Sequence, residues 1–471
     1  MPFLVPMFGR DGVIPGKVAR VLGAAMWGYD IAGGFRIGKL HQRVSKAEAL
    51  EYFPTLRGDN LISGYLYYDA AADDARLTLT ILRTAAHDHG AVVANHVAAV
   101  GIGRNDAGQA NSVEVEADGR RFQIATSSVV NAGGVWSDEI RALDEGRDPD
   151  SIRPAKGIHI TVPHHLIGNT IAAIVPVPKD RRSIFVVRHG DFSYIGTTDT
   201  DYDVGIDGSL DDPQCTEADI DYLLGAINRF CTTTITANDI VGTWAGLRPL
   251  VKSGPSGRTA DISRRHRVTS SDSGVVTVTG GKLTTYRHMA ADTVDLVVAD
   301  VLGSAAPANS GRTRTKQLRL RGADGYRTVG SAATGYPAVP SGVIEHLAGR
   351  YGGEARALMG LIQRDPTLAE PLVAGLDYLR AEAVFAARFE MAGSVDDVLS
   401  RRTRARLFGR DDSAAAADAV AALIAPELGW TAAQAAESAA EYRAMCEHER
   451  VSAHLPVTTR TGEQIPRGEQ R

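Results

Sequence analysis

Three short segments of this 471-residue chain carry cationic or titratable side chains at spacings that suit anion binding and proton transfer. The first is Gly280-Gly281-Lys282-Leu283-Thr284-Thr285-Tyr286-Arg287. The apolar run VVTVT enters two glycines and a helical pattern leaves them. Free backbone N–H groups and a positive helix end then face whatever sits there. Lys282 adds a full charge, although a plain strand-to-helix turn with a surface lysine fits the pattern equally well. The second is Thr243-Trp244-Ala245-Gly246-Leu247-Arg248-Pro249-Leu250, an arginine set among apolar residues. Such a charge needs an anionic partner. Its planar fork suits phosphate or carboxylate, and a structural salt bridge would satisfy it too. The third is Lys156-Gly157-Ile158-His159-Ile160-Thr161-Val162. Strand alternation places His159 on the face opposite Ile158 and Ile160. An imidazole there suits a general base taking a hydroxyl proton, the plainer alternative being a hydrogen-bonded structural histidine.

Two more glycine turns accompany them. In Val129-Val130-Asn131-Ala132-Gly133-Gly134-Val135-Trp136 a buried strand ends where a cofactor can approach the backbone closely. Gly196-Thr197-Thr198-Asp199 ends another strand with hydroxyls and one carboxylate. Each also reads as an ordinary turn.

The elements that must position these segments follow from periodicity. Residues 16–34 and 73–90 read as helices, the latter capped by Asp73 and ended by Gly90. AVVANHVAAVGI reads as a strand, and NSVEVEAD with RFQIATS as a hairpin. IHITVP, IAAIVPV, SIFVVRHG and FSYIGTT are short strands separated by turns, the mark of an antiparallel sheet. TEADIDYLLGAINRF is a capped amphipathic helix, and beyond a polar linker the pattern is helical. The chain therefore divides into an α/β region, 1–305, with a substrate-sheet part at about 155–250. A linker at 306–318, an all-α region at 319–453 and a disordered tail at 454–471 follow.

Composition narrows the class. The net charge of -5 excludes a general nucleic-acid binder and leaves anion binding to local clusters. Cys215, Cys231 and Cys446 form neither a CxxC pair nor an even set, which fits a reducing cytosol. No metal site is expected, and no apolar stretch is long enough for a transmembrane helix.

In order along the chain, PFLVPMF, YYD…DDARL, VVNAGGVWSD, KGIHITVP, IGTTDTDY, GLRPL, DISRRHRV and GGKLTTYR resemble the FAD-dependent glycerol-3-phosphate dehydrogenase family. That family lies within the D-amino-acid-oxidase-like flavoproteins. GRYGGEA and LRAEAVFAARFEMAGSVDDVLSRRTRARL resemble its C-terminal helical domain, so the likeness runs to about residue 450. The resemblance implies oxidation of glycerol 3-phosphate to dihydroxyacetone phosphate, with hydride passing to FAD. His159 would be the base, Arg248 would hold substrate oxygens, and Arg264 is a second candidate for the phosphate. Lys282 would stand by the flavin's pyrimidine edge, and substrate contact falls to it as well. Ala132, Gly133 and Gly134 would pass under the adenosine half of the cofactor, with Gly280, Gly281, Leu283, Thr284 and Thr285 near its ring.

The family pattern begins with a βαβ unit bearing G-x-G-x-x-G, then a serine-rich segment ending in HGGLRYL; neither is in this sequence. Gly101-Ile102-Gly103 leads into a polar loop with Asp106 and is no substitute. The fold expected is thus a partial Rossmann-like FAD domain lacking its first βαβ unit, and an N-terminally truncated family member. Electrons would pass to a membrane quinone, which places the protein in the cytoplasm or peripherally on the inner face of the cytoplasmic membrane. PFLVPMF and the helix around VARVLGAAMWGY are the candidate membrane contacts, a buried position being the alternative for both. An oxidase that uses oxygen is the neighbouring reading, and a remnant that holds no FAD is the non-enzymatic one.

Overall fold

The computed structural model describes the chain except residues 10–15, 35–37, 178–181, 253–264, 309, 312, 331–334 and 459–471, and gives only the backbone of 16–22 and 34. Arg264 lies outside the described residues.

A nine-stranded mixed sheet forms the centre. Its strands are β1 (Pro2–Phe8), β2 (Gln42–Ser45), β3 (Leu61–Tyr68), β8 (Ile152–Pro163), β9 (Ala172–Pro176), β10 (Ser183–His189), β11 (Phe192–Gly196), β12 (Thr200–Asp201) and β13 (Gly242–Val251). They run in the order β12-β8-β11-β10-β9-β1-β3-β2, with β13 paired along β8. The antiparallel sheet expected at 155–250 is present but reaches further, because β1 joins β9 in parallel and β3 antiparallel. PFLVPMF is therefore an interior strand, with Leu4 at 0 % exposure, and not a membrane contact. An apolar run buried on both faces gives up less by staying in the sheet than by reaching solvent, at roughly 1.5–3 kcal/mol per large side chain.

Ile158, Ile160 and Val162 on β8 pack with Leu223 and Ile227 of the helix Glu217–Phe230 in the largest core cluster. That helix starts as expected, with Thr216 and Asp219 forming a reciprocal capping box. The helix Asp74–His89 is capped by Asp73 and ended by Gly90 in the left-handed region, as the pattern predicts.

Two smaller sheets complete the α/β part: β4 (Ala98–Arg104), β5 (Ala110–Ala117) and β6 (Arg120–Ala125); and β14 (Arg267–Ser270), β15 (Val276–Thr279) and β7 (Val130–Asn131). The NSVEVEAD/RFQIATS hairpin is β5–β6. The strand expected across 91–102 starts only at Ala98, since residues 91–97 form no ladder. Gly101 and Gly103 lie within that strand, opposite Glu114 and Ser112, so they start no helix. The strand expected at VVNAGG shrinks to Val130–Asn131, parallel to β15, and Val130 is 45 % exposed. It is an edge of this sheet rather than a buried strand.

The C-terminal part is helical, with helices at Ser341–Tyr351, Ala355–Arg364, Arg380–Phe389, Ala417–Leu428 and Ala432–Ser452. It docks on the α/β part through buried ion pairs. Arg76 forks onto Glu390 at 2.8 and 2.7 Å, and Arg83 pairs with Glu354. Glu449 accepts from the backbone and hydroxyl of Thr243 at 2.9 and 3.0 Å, holding the start of β13. The start of the segment expected as a disordered tail is packed: Leu455 is buried in the main core and Thr458 donates to the Ile240 carbonyl. Among the described residues no helix is long and apolar enough to cross a membrane.

Candidate active site

β8 and β13 pair in antiparallel register, Trp244 opposite His159, Gly246 opposite Gly157 and Arg248 opposite Ala155. β11 flanks β8 on its other side, with Gly196 opposite His159. Because opposed residues point to one face, His159, Trp244, Gly246 and Arg248 share the face turned away from the Ile158–Ile160 core. The sequence thus brings a histidine and an arginine together through strand register, although they stand far apart along the chain.

His159 is half-buried and lies flat on Trp244, ring centroids 4.5 Å apart and planes at 8°, with Tyr194 edge-on at 6.2 Å. Among the described residues neither ring nitrogen is hydrogen-bonded, which departs from the structural-histidine reading. Close packing requires the glycines beside it. A Cβ at Gly196 would overlap the imidazole, and one at Gly157 would come within 2.5 Å of the Arg248 guanidinium. At Gly246 a Cβ would meet nothing within 4 Å, so this face is open above that residue, which stands between Trp244 and Arg248 along β13. Burial, then the Arg248 charge, push the His159 pKa down to about 4, with Asp74 opposing and Arg404 adding to the shift. The ring is therefore neutral and able to accept a proton across the physiological range.

Arg248 is 31 % exposed at its side chain. It donates to the Thr197 hydroxyl at 3.1 Å and the Thr198 carbonyl at 3.3 Å, and pairs with Asp199 at 3.2 Å. The Gly-Thr-Thr-Asp turn is therefore the cradle of Arg248. The salt bridge foreseen as an alternative exists, and the side chain still stays partly exposed.

The helical part reaches this neighbourhood as well. Arg404 donates to Asp73 at 2.9 and 3.2 Å and also to Asp74. Burial works against charge on Asp73, but its bonds to Arg404 and to the Arg76 N–H, with Arg350 nearby, hold its pKa down at about 2. Trp244, Tyr194 and Arg404 carried no local signal of their own. Only the alternation Trp244-x-Gly246-x-Arg248 in the sequence marks a common face.

Lys282, Leu283, Thr284 and Thr285 are exposed, and the Lys282 ammonium has no partner among the described residues. Gly280 and Gly281 adopt φ of 70° and 81°, turning β15 into a one-turn helix, Leu283–Thr285, that runs on into Tyr286–Leu296. Ala132–Gly134 leave β7 at the same end, since β7 and β15 are parallel. Both glycine turns thus sit at the carboxyl ends of parallel strands, the edge where α/β sheets receive nucleotide ligands. Gly280 also packs toward Val251, the last residue of β13. Arg248 lies three residues back along the same strand.

These residues fit the flavin end of FAD: open N–H groups in the first helical turn, an ammonium without a partner among the described residues, and open backbone at Gly134, where a Cβ would meet nothing within 4 Å. The sequence holds no G-x-G-x-x-G turn for the pyrophosphate.

Residues 18–287 match the family model described as FAD dependent oxidoreductase, and 313–435 match the C-terminal domain of alpha-glycerophosphate oxidase. Glycerol-3-phosphate dehydrogenase 2 of Mycobacterium bovis is 37% identical over 461 residues, covering 97% of this chain and 76% of that protein. The mitochondrial glycerol-3-phosphate dehydrogenase of Homo sapiens is 32% identical over 416 residues, covering 85% of this chain and 56% of that protein. The crystal structure of glycerol-3-phosphate dehydrogenase from Bacillus halodurans, complexed with FAD, superposes with a TM-score of 0.75 at 27% identity. It covers 98% of this chain and 83% of that one. With the His159–Arg248 face and the two glycine turns in family order, this chain belongs to the FAD-dependent oxidoreductases, as a member of their glycerol-3-phosphate dehydrogenase family.

Proposed function

We propose that this chain binds FAD and oxidises sn-glycerol 3-phosphate to dihydroxyacetone phosphate, with electrons passing on to a membrane quinone. The observation that carries the reading is the one face of β8 and β13 that carries a neutral, unbonded imidazole, a guanidinium and the open space over Gly246. Bound FAD supplies acceptance of a hydride from the carbinol carbon. His159 takes the hydroxyl proton at a ring nitrogen. Arg248, held in place by Thr197 and Asp199, orients substrate oxygens with its guanidinium charge. Arg264 is assigned to the phosphate. Gly280 to Thr285 and Ala132 to Gly134 hold the cofactor, with the Lys282 charge favouring its reduced, anionic form.

Electrostatics supports this division. In the free chain Arg248 and Arg404 disfavour a charged imidazole. A phosphate dianion offsets those cations, so His159 becomes a stronger base only once substrate is in place.

Peripheral attachment at the inner face of the cytoplasmic membrane goes with the quinone assignment. Exposed Trp27 (59%) and Ile31 (71%), at the end of the helix Gly16–Tyr29, support it. Purification of the chain with measurement of bound flavin and of glycerol-3-phosphate-dependent quinone-analogue reduction tests the reading. Protein that stays colourless and inactive with added FAD would reject it in favour of a chain that holds no cofactor. Reduction of oxygen in preference to the quinone analogue would reassign the acceptor.

A further inference from the structure

We propose that the cleft between the β14–β15 ribbon and the helix Ser137–Glu145 is a second oxyanion site, built for a phosphate-bearing small molecule. Its cavity of about 880 Å³ contains none of His159, Arg248 or Lys282.

Register builds one wall. Arg267 lies opposite Thr279, and Thr269 opposite Thr277, so all four side chains project from one face of the ribbon into the cleft. Thr279 is only 9% exposed and Thr269 is half-buried, and neither hydroxyl makes a hydrogen bond with the described residues. Thr277 receives a long contact from the Asn131 amide at 3.4 Å, which leaves its own proton free to donate. Hydroxyls open to the cleft and not bonded within the protein are free to donate to a ligand there.

The opposite wall supplies charge. Arg141 pairs with Glu145 at 2.7 Å, and Arg104 pairs with Asp144 at 3.1 Å, while Ser271 and Ser273 also donate to Asp144. Those carboxylates are thereby balanced. Arg147 and Arg267 have no carboxylate partner among the described residues, against one exposed acid, Asp272. The cleft is net cationic in a chain of net charge -5. Guanidinium forks set over a floor of hydroxyl donors recognise a tetrahedral oxyanion, and a free phosphate or a phosphate ester presents the same chemistry.

Calorimetric titration of the full chain with inorganic phosphate, in the Arg248→Met background and at constant ionic strength, tests this. Saturable binding is expected, with chloride giving none. The added pair Arg147→Gln and Arg267→Gln should weaken it at least tenfold, and Thr279→Val should weaken it alone. Hydrogen exchange should slow across 267–279 when phosphate is bound. Phosphate binding that the arginine pair and Thr279→Val leave unchanged, or no binding at all, overturns the site. Glycerol-3-phosphate turnover measured separately in the chain with native Arg248 keeps this outcome apart from the catalytic assignment.

Discussion

His159 rests flat against Trp244 on the neighbouring strand, 4.5 Å from ring to ring, because the two occupy opposed positions of β8 and β13. Stacking fixes the plane of the imidazole without using either nitrogen, so orientation and proton acceptance are separated. Replacing His159 by Asn should lower turnover by about 10²–10⁴-fold, with melting temperature and flavin content near the parent's. Near-normal turnover would remove His159 from the reaction.

The imidazole's pH behaviour follows from its surroundings. In the free protein its titration should centre near 4, since burial and Arg248 disfavour the charged form. Folding stability changes in the same direction. The unfolded ring binds its proton near the usual value of 6.5, so this contribution is full above that value and declines as pH falls toward about 4. Imidazole resonances compared between the parent and His159→Asn give the value directly. Saturation with glycerol 3-phosphate should move it upward; a value unchanged by substrate would contradict compensation by the phosphate.

Gly246 offers a test of the space itself. A Cβ there meets nothing within 4 Å, so Gly246→Leu should fold normally while filling the space over the face shared by His159 and Arg248. Loss of turnover at unchanged melting temperature is expected. Retained activity would show that substrate stands elsewhere.

Arg248→Lys keeps the charge and loses the planar fork. With hydrogen bonds to charged groups worth about 1.5–3 kcal/mol each, kcat/KM should fall by at least an order of magnitude. Steady-state kinetics on glycerol 3-phosphate reads the change, and an unaltered kcat/KM would show that the fork does not touch substrate.

The helical part should be sensitive to one buried pair and to acid. Arg76→Ala strips the fork from buried Glu390 and leaves it only a 4.0 Å pairing with Arg83, at a cost of about 3–5 kcal/mol that a denaturant melt would detect. Glu382 is fully buried. Desolvation opposes its charge, but Arg350 and His346 hold its pKa down at about 2. A depressed carboxylate contributes stability that is full above about 4.5 and is lost as pH falls toward about 2. Glu382→Gln should flatten that part of the acid-unfolding curve.

Sequence alone determined the local half of this molecule. The helices at 74–89 and 217–230 declare themselves by caps and apolar spacing, and the β8–β11 strands by alternation between turns. Such signals lie within a few residues of each other. His159, Arg248 and Lys282 could be singled out for their chemistry, and family order tied them together, but their spacing in space was not legible. Register did that: pairing of β8 with β13 put a histidine and an arginine on one face, and the turn Gly196–Asp199 became the arginine's support. The interior position of β1 and the short, exposed β7 were equally beyond reach, since an apolar run does not say which neighbours cover it. Arg404 meets Asp73 across more than three hundred residues of chain. Contacts of that kind depend on how whole layers pack, which only the tertiary structure decides.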